Sequence, residues 1–238
     1  MKLKLTAVAA IAAFIFSSCE HDMSVETGSL PGGVLNGTAP AASNFSTCKD
    51  CSYYPTCSGS VYHYRDTSYG ATTGTAVDYT LTYVKDTVME GRNYQKITGA
   101  GQQNTYFNCS SGVSSSIILG GVTAGGTTVP YVKVTALKAN EPVGASWADN
   151  ITSSGQTALF TYTIVSKGGT KMVAGNNYAD VIHVHEQTTV DIPGVGAIPA
   201  GQSEYYFAKG KGLIESISID DFTGLQILHH ILLSANIP

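Results

Sequence analysis

Val77-Asp78-Tyr79-Thr80-Leu81-Thr82-Tyr83-Val84 puts Val77, Tyr79, Leu81 and Tyr83 in one phase and Asp78, Thr80 and Thr82 in the other. In an extended backbone, successive side chains leave opposite faces, so the stretch reads as a strand buried on its apolar side. Working outward, segments 61–66, 94–98, 105–109, 117–119, 129–137, 159–165, 178–190, 204–208 and 213–219 have a similar Tyr, Val, Ile and Thr content. Clusters of Gly, Asn or Asp separate them. Segment 225–234, LQILHHILLS, fits either a buried strand or a three-turn helix, and we read it as a strand. The expected fold class is all-β: a curved antiparallel sheet, half-barrel or sandwich-like.

A weak internal repeat narrows the topology. Tyr79-Thr80-Leu81-Thr82-Tyr83-Val84 has a counterpart in Phe160-Thr161-Tyr162-Thr163-Ile164-Val165, and Glu90-Gly91-Arg92-Asn93-Tyr94 in Ala174-Gly175-Asn176-Asn177-Tyr178. Later in each run comes a Tyr-Phe pair, Tyr106-Phe107 and Tyr206-Phe207. Two similar halves, about 60–125 and 126–238, forming one continuous sheet would explain this order; convergent hairpin chemistry is the alternative.

The first residues have a different character. Lys2 and Lys4 precede an apolar run at 5–16, too short to span a bilayer, and Ser17-Ser18-Cys19 follows. This resembles a bacterial lipobox, in which residues 1–18 are a signal peptide and Cys19 becomes the lipidated first residue, its acyl chains fixing the chain to a membrane. Removing Lys2 and Lys4 leaves 11 of the 13 basic residues against 17 acidic ones, a net charge of −6. Such a chain attracts neither nucleic acid nor an anionic bilayer surface. Residues 19–47, poor in large apolar side chains and without period, read as a flexible lipid-anchored tether, on the order of 30 Å by random-coil scaling. The antiparallel β domain is then 48–238. Glu20 and Asp22 resemble the acidic signal that sends some Bacteroidota lipoproteins to the cell surface. The expected location is the cell envelope, at the outer membrane, on its periplasmic side or at the surface.

Three segments carry a resemblance: Pro142-Val143-Gly144-Ala145-Ser146-Trp147, Gly175-Asn176-Asn177-Tyr178-Ala179-Asp180-Val181-Ile182, and Tyr205-Tyr206-Phe207-Ala208-Lys209-Gly210-Lys211-Gly212-Leu213-Ile214. They resemble lipoproteins common in Bacteroidota in which a YYxAKGxGLI-like hairpin closes a curved antiparallel sheet. The resemblance implies a fold and a compartment and brings no activity with it.

Cys48, Cys51 and Cys57 cluster in TCKDCSYYPTCSGS, and Cys109 stands apart. Four cysteines outside the cytoplasm favour disulfides, whose pairing the sequence leaves open; closing the long loop to Cys109 is worth roughly 2 to 4 kcal/mol. A four-cysteine zinc site is the competing reading, although Cys57 and Cys109 are 52 residues apart instead of forming a second close pair. No helical pattern follows Cys51 to support a redox-active Cys-x-x-Cys. On a strand, His183 and His185 leave the same face and could chelate a metal with a third ligand from a neighbour; a solvated strand face is the plainer reading, and no metal or other cofactor is assigned. His229 and His230 fall on opposite faces, and His63, between Tyr62 and Tyr64, reads as structural.

No nucleophile elbow, His-Glu-x-x-His, P-loop or dinucleotide fingerprint is present, so no catalytic residue is assigned. Asp220-Asp221 suits a turn. The function expected is a non-enzymatic binding or envelope-structural module, partnered by the membrane through its anchor and by a lipid, glycan or peptide ligand lined by some of the 14 tyrosines. An extracytoplasmic enzyme, hydrolase or zinc-dependent, is the alternative.

Overall fold

The computed structural model describes residues 51–69, 74–89, 91–99, 105–119, 121–122, 128–129, 131–153, 156–192 and 194–238. The signal peptide, Cys19, the tether and Cys48 lie outside them. Among the described residues every element is a strand. The first run is β1 (Val61–Tyr69), β2 (Gly74–Met89), β3 (Arg92–Gly99), β4 (Thr105–Ser110) and β5 (Val113–Ile118). A small separate pair follows, β6 (Gly121–Val122) with β7 (Thr128–Val129), and then β8 (Val132–Lys138). The second run is β9 (Ser146–Ser153), β10 (Gln156–Val173), β11 (Asn176–Ile192), β12 (Gly196–Ala208), β13 (Gly212–Asp220) and β14 (Gln226–Asn236).

Twelve of these strands form one antiparallel sheet in the order β8-β5-β4-β3-β2-β1-β14-β13-β12-β11-β10-β9. The first and last strands are laddered together, from Val61↔Asn236 to Ser68↔Leu228. The ladder breaks instead in mid-chain, between β8 and β9, which lie side by side and bring the sheet close to a barrel. Side chains bridge this seam. The Thr135 N–H donates to Asp149 Oδ2 at 2.6 Å, and Trp147 Nε1–H donates to the Thr135 carbonyl at 2.8 Å. The ammonium of Lys167 donates to the carbonyls of Ala139 (2.7 Å) and Glu141 (3.0 Å) in the connection between the two strands.

Alternation decides which side is inside. On β11, Ile182, Val184, Glu186, Thr188 and Val190 are buried while His183, His185, Gln187 and Thr189 are partly exposed. Tyr62, Tyr64, Tyr83, Phe107, Phe160, Tyr162, Tyr205 and Phe207 fill the interior with Trp147, Ile164 and Leu232. The outward face carries Arg65 paired with Asp78 at 2.6 Å, and His63 bonded to Thr80.

All of segment 225–234 except Leu225 lies in β14, so the strand reading holds; its neighbours in the sheet, β1 and β13, satisfy its backbone groups. The repeated motifs fall on β2–β3–β4 and β10–β11–β12, parts of the one continuous sheet. β9 lies outside the strands expected from the sequence, because Asp149 interrupts its short apolar phase of Trp147 and Ile151.

Candidate functional site

Three groups of residues attract attention: a segment closing one end of the barrel, a band on the outer face, and ionisable groups inside.

The closing segment is residues 51–60. The Cys51–Cys109 disulfide, with Cα atoms 6.0 Å apart across 58 residues of sequence, ties its start to β4. Tyr54 stacks on Phe107 with ring centroids 4.2 Å apart and approaches Phe207 at 5.8 Å, so the Phe of each repeated Tyr-Phe pair holds the same ring. Tyr62 donates its hydroxyl to the Pro55 carbonyl, and Gly59 N–H donates to the Tyr83 carbonyl at 2.7 Å. Burial pushes the Tyr54 hydroxyl up to about 12.

The Lys209-Gly210-Lys211-Gly212 hairpin grips this plug. Gly210 N–H donates to the Ser52 carbonyl. Gly212, at φ +87, brings its Cα side to Tyr62 and Pro55. Asp180 accepts from the Tyr53 hydroxyl at 2.5 Å and pairs with Lys209 at 3.2 Å. Those two contacts, Tyr53 first, hold the Asp180 carboxyl below its usual range, and desolvation with the same bond pushes Tyr53 up to about 12. Asp180 adopts φ 52, a conformation that Asp tolerates better than most residues. Cys57 is disulfide-bonded as well.

The outer band runs over β10 to β14. Glu204, directly across from His185, accepts at both oxygens, from His183 Nε2 at 2.5 Å and His185 Nδ1 at 2.9 Å. His183 stacks on Tyr206 with centroids 4.4 Å apart, and Lys171 Nζ lies 3.6 Å from the Tyr206 ring centre. Lys171 also reaches Glu215 at 2.6 Å, whose other oxygen meets His229 Nε2 at 2.9 Å. Thus His183 and His185 do share a face, as their spacing requires, and one carboxylate engages both. Among the described residues no group of three His, Cys, Asp or Glu side chains is arranged to hold a metal ion.

His229 and His230 separate as alternation demands, His229 into this band and His230 into the interior. There His230 Nδ1 meets Asp66 at 2.6 Å and the Tyr79 hydroxyl at 3.0 Å, with its ring against Tyr64. His63 is exposed on the outside, so its neighbours Tyr62 and Tyr64 supply the core there.

Glu186 is the most deeply buried of the interior carboxyls, 2% exposed. It accepts from Thr188 Oγ1 at 3.0 Å and from the Tyr205 hydroxyl at 2.9 Å, and Tyr162 also bonds to it. Desolvation raises its carboxyl above the usual range, and the three hydroxyls oppose that rise. Sequence reading gave Glu186, Glu204, Glu215, Asp66, Tyr206 and Lys171 no role. For Glu186 a signal existed: it stands in the apolar phase Ile182, Val184, Glu186, Thr188, Val190. For the others, cross-strand register made the site, and single-strand patterns do not contain register.

The fold and these groups define an up-and-down antiparallel β barrel, broken at one side-chain-bridged seam and sealed at one end by a disulfide-stapled plug. No protein-family model matches the chain, and no curated protein matches it. Two solved structures are similar to it. One is a candidate lipoprotein from Parabacteroides distasonis, at 8% identity and TM-score 0.48, covering 79% of this chain and 100% of that one. The other is a candidate exported protein with a YmcC-like fold from Bacteroides fragilis, at 9% identity and TM-score 0.39, covering 78% of this chain and 99% of that one. Likeness at this level transfers no ligand, activity or residue role.

Proposed function

We propose that the protein is an extracytoplasmic, lipid-anchored barrel that acts by binding and not by catalysis. The observation that carries this reading is the buried Cys51–Cys109 staple. Disulfides of this kind persist in oxidising compartments. This one also lies where a tether from Cys19 enters the domain, so tension on an anchor would pass into β4 through a covalent bond. The signal-like residues 1–18 and Ser17-Ser18-Cys19 agree with such an anchor.

The binding surface we assign is the outer band of Lys171, His183, His185, Glu204, Tyr206, Glu215 and His229. Its half-buried donors, acceptors and ring suit a ligand dense in hydroxyl groups, a glycan. Six tyrosines, Tyr62, Tyr64, Tyr83, Tyr94, Tyr162 and Tyr205, are buried. A groove lined by tyrosines would have to be made by others.

Two experiments test the reading. In cells, Cys19→Ala is expected to abolish acyl labelling and release the domain from the membrane fraction; a variant that stays acylated and membrane-bound refutes the anchor. In vitro, native mass spectrometry of the anchor-free domain in envelope extract is expected to show a retained glycan, lost in His185→Ala/Glu204→Ala. A bare domain in every extract counts against the band. Metal analysis of chelator-free protein separates the competing class, a zinc-dependent enzyme using His183 and His185, for which about one zinc per chain is expected.

A further inference from the structure

We propose that the ligand of the outer band is an acidic glycan, one bearing carboxylate or sulfate groups, held by the second ring nitrogens of His183, His185 and His229 when those rings are charged. The proposal rests on the reading of the band as a glycan site and adds the charge of the ligand. Each of the three rings meets a carboxylate through one nitrogen only: His183 through Nε2 and His185 through Nδ1 on Glu204, and His229 through Nε2 on Glu215. Among the described residues no hydrogen-bond partner meets the other nitrogen of any of them. The carboxylate fixes the role of both atoms. A ring nitrogen facing a carboxylate carries the hydrogen, so in the neutral ring the second nitrogen is an acceptor, and in the charged ring it becomes a donor. The side chains of His183, His185 and His229 are 20%, 31% and 29% exposed, so a ligand reaches them from solvent.

Tyr206 offers a sugar no ring face to stack on. His183 lies nearly parallel to its ring at 4.4 Å between centroids, and Lys171 Nζ lies 3.6 Å from its centre. Two groups that close to one ring centre cannot share a side, so together they cover both. Recognition then falls to hydrogen bonds and charge. With neutral imidazoles, the Lys171 ammonium stands against the carboxylates of Glu204 and Glu215, a net −1, and three added protons bring the band to +2. Uncharged residues lie directly across from the rings: Thr163 from His185 and Ser166 from His183 on β10, Ile217 from His229 on β13, and Thr67 from His229 on β1. Further along the same face, Arg65 is paired with Asp78, and beside the plug Lys209 is paired with Asp180. Asp221, in the β13–β14 turn, accepts from Gln187, two residues beyond His185, and tempers the gain. The chain as a whole is acidic, which opposes an anion at long range; screening over about 10 Å at 0.1 M salt leaves the contact itself to the local charge.

The probe is dextran sulfate, whose sulfates stay charged throughout, set against uncharged dextran of the same length in calorimetric titrations of the full-length protein in neutral detergent. Binding of dextran sulfate is expected to tighten by at least about tenfold from about pH 8 to about pH 5.5, the range over which imidazoles gain charge, and dextran to show no such gain. In His185→Gln/His229→Gln, the glutamines still donate to Glu204 and Glu215 but take no proton, and the gain is expected to fall to about threefold or less. Dextran sulfate that does not bind at the lower pH, binds equally at both, or keeps its full gain in the variant overturns the proposal. So does dextran bound as tightly as its sulfate. The glycan reading fails separately: a neutral glycan retained from extract and lost in His185→Ala/Glu204→Ala upholds the band while overturning the acidic class. Should the double variant not fold, the wild-type comparison across pH and between the two polymers decides alone.

Discussion

Replacing both Cys51 and Cys109 by Ala tests the plug most directly. The staple closes a sequence separation of 58 residues, and the chain-entropy relation for such a loop gives about 4 kcal/mol at 25 °C. Both sulfurs are buried, and alanine avoids placing a hydroxyl in their site. With a urea dependence of about 2 kcal/mol/M, the unfolding midpoint is expected to fall by about 2 M. Trp147, the single tryptophan, lies in a core cluster separate from that of the staple and reports the transition by fluorescence. Mutating the pair, and not adding reductant, leaves the disulfide of Cys57 in place. A midpoint shift below about 0.5 M, about 1 kcal/mol, would show that the staple is not what holds the segment and would refute the loop argument. Tyr53 gives an independent reading by ultraviolet titration. Once freed from Asp180 its ionisation is expected to return from about 12 toward 10, and a value that stays high means the plug remains docked.

Further outcomes follow from the same geometry. Tyr54→Ala removes the ring between Phe107 and Phe207 and is expected to cost about 2 to 3 kcal/mol in urea unfolding, with Tyr54→Phe costing about 1 kcal/mol through the lost hydrogen bond to Tyr83. Tyr205→Phe takes a donor from Glu186 and is expected to cost about 1 to 3 kcal/mol, more at pH 8 than at pH 5, since the lost bond favours the ionised carboxyl. Equal costs at the two pH values would sink that assignment. Because the Glu186 carboxyl is raised on folding, wild-type stability is expected to decline as pH rises through its value and Glu186→Gln to flatten the decline, read as the urea midpoint against pH. Arg65→Ala, at a fully exposed pair with Asp78, is expected to leave the midpoint unchanged.

Strand class was written in the chain itself. The alternation of Val77, Tyr79, Leu81 and Tyr83, or of Ile182, Val184 and Val190, selects a two-faced extended backbone before any tertiary contact exists, because it is a local, period-two property. The same alternation sent His183 and His185 to one face and His229 and His230 to opposite ones. Closure was a different matter: laddering β1 with β14 while leaving β8 and β9 to Trp147 and Asp149 depends on register and twist accumulated over twelve strands. Pairing Cys51 with Cys109, joining Glu204 to two histidines and surrounding Glu186 with hydroxyls all unite residues far apart in sequence. Such encounters arise only once the sheet has curled, so the tertiary structure alone decided them.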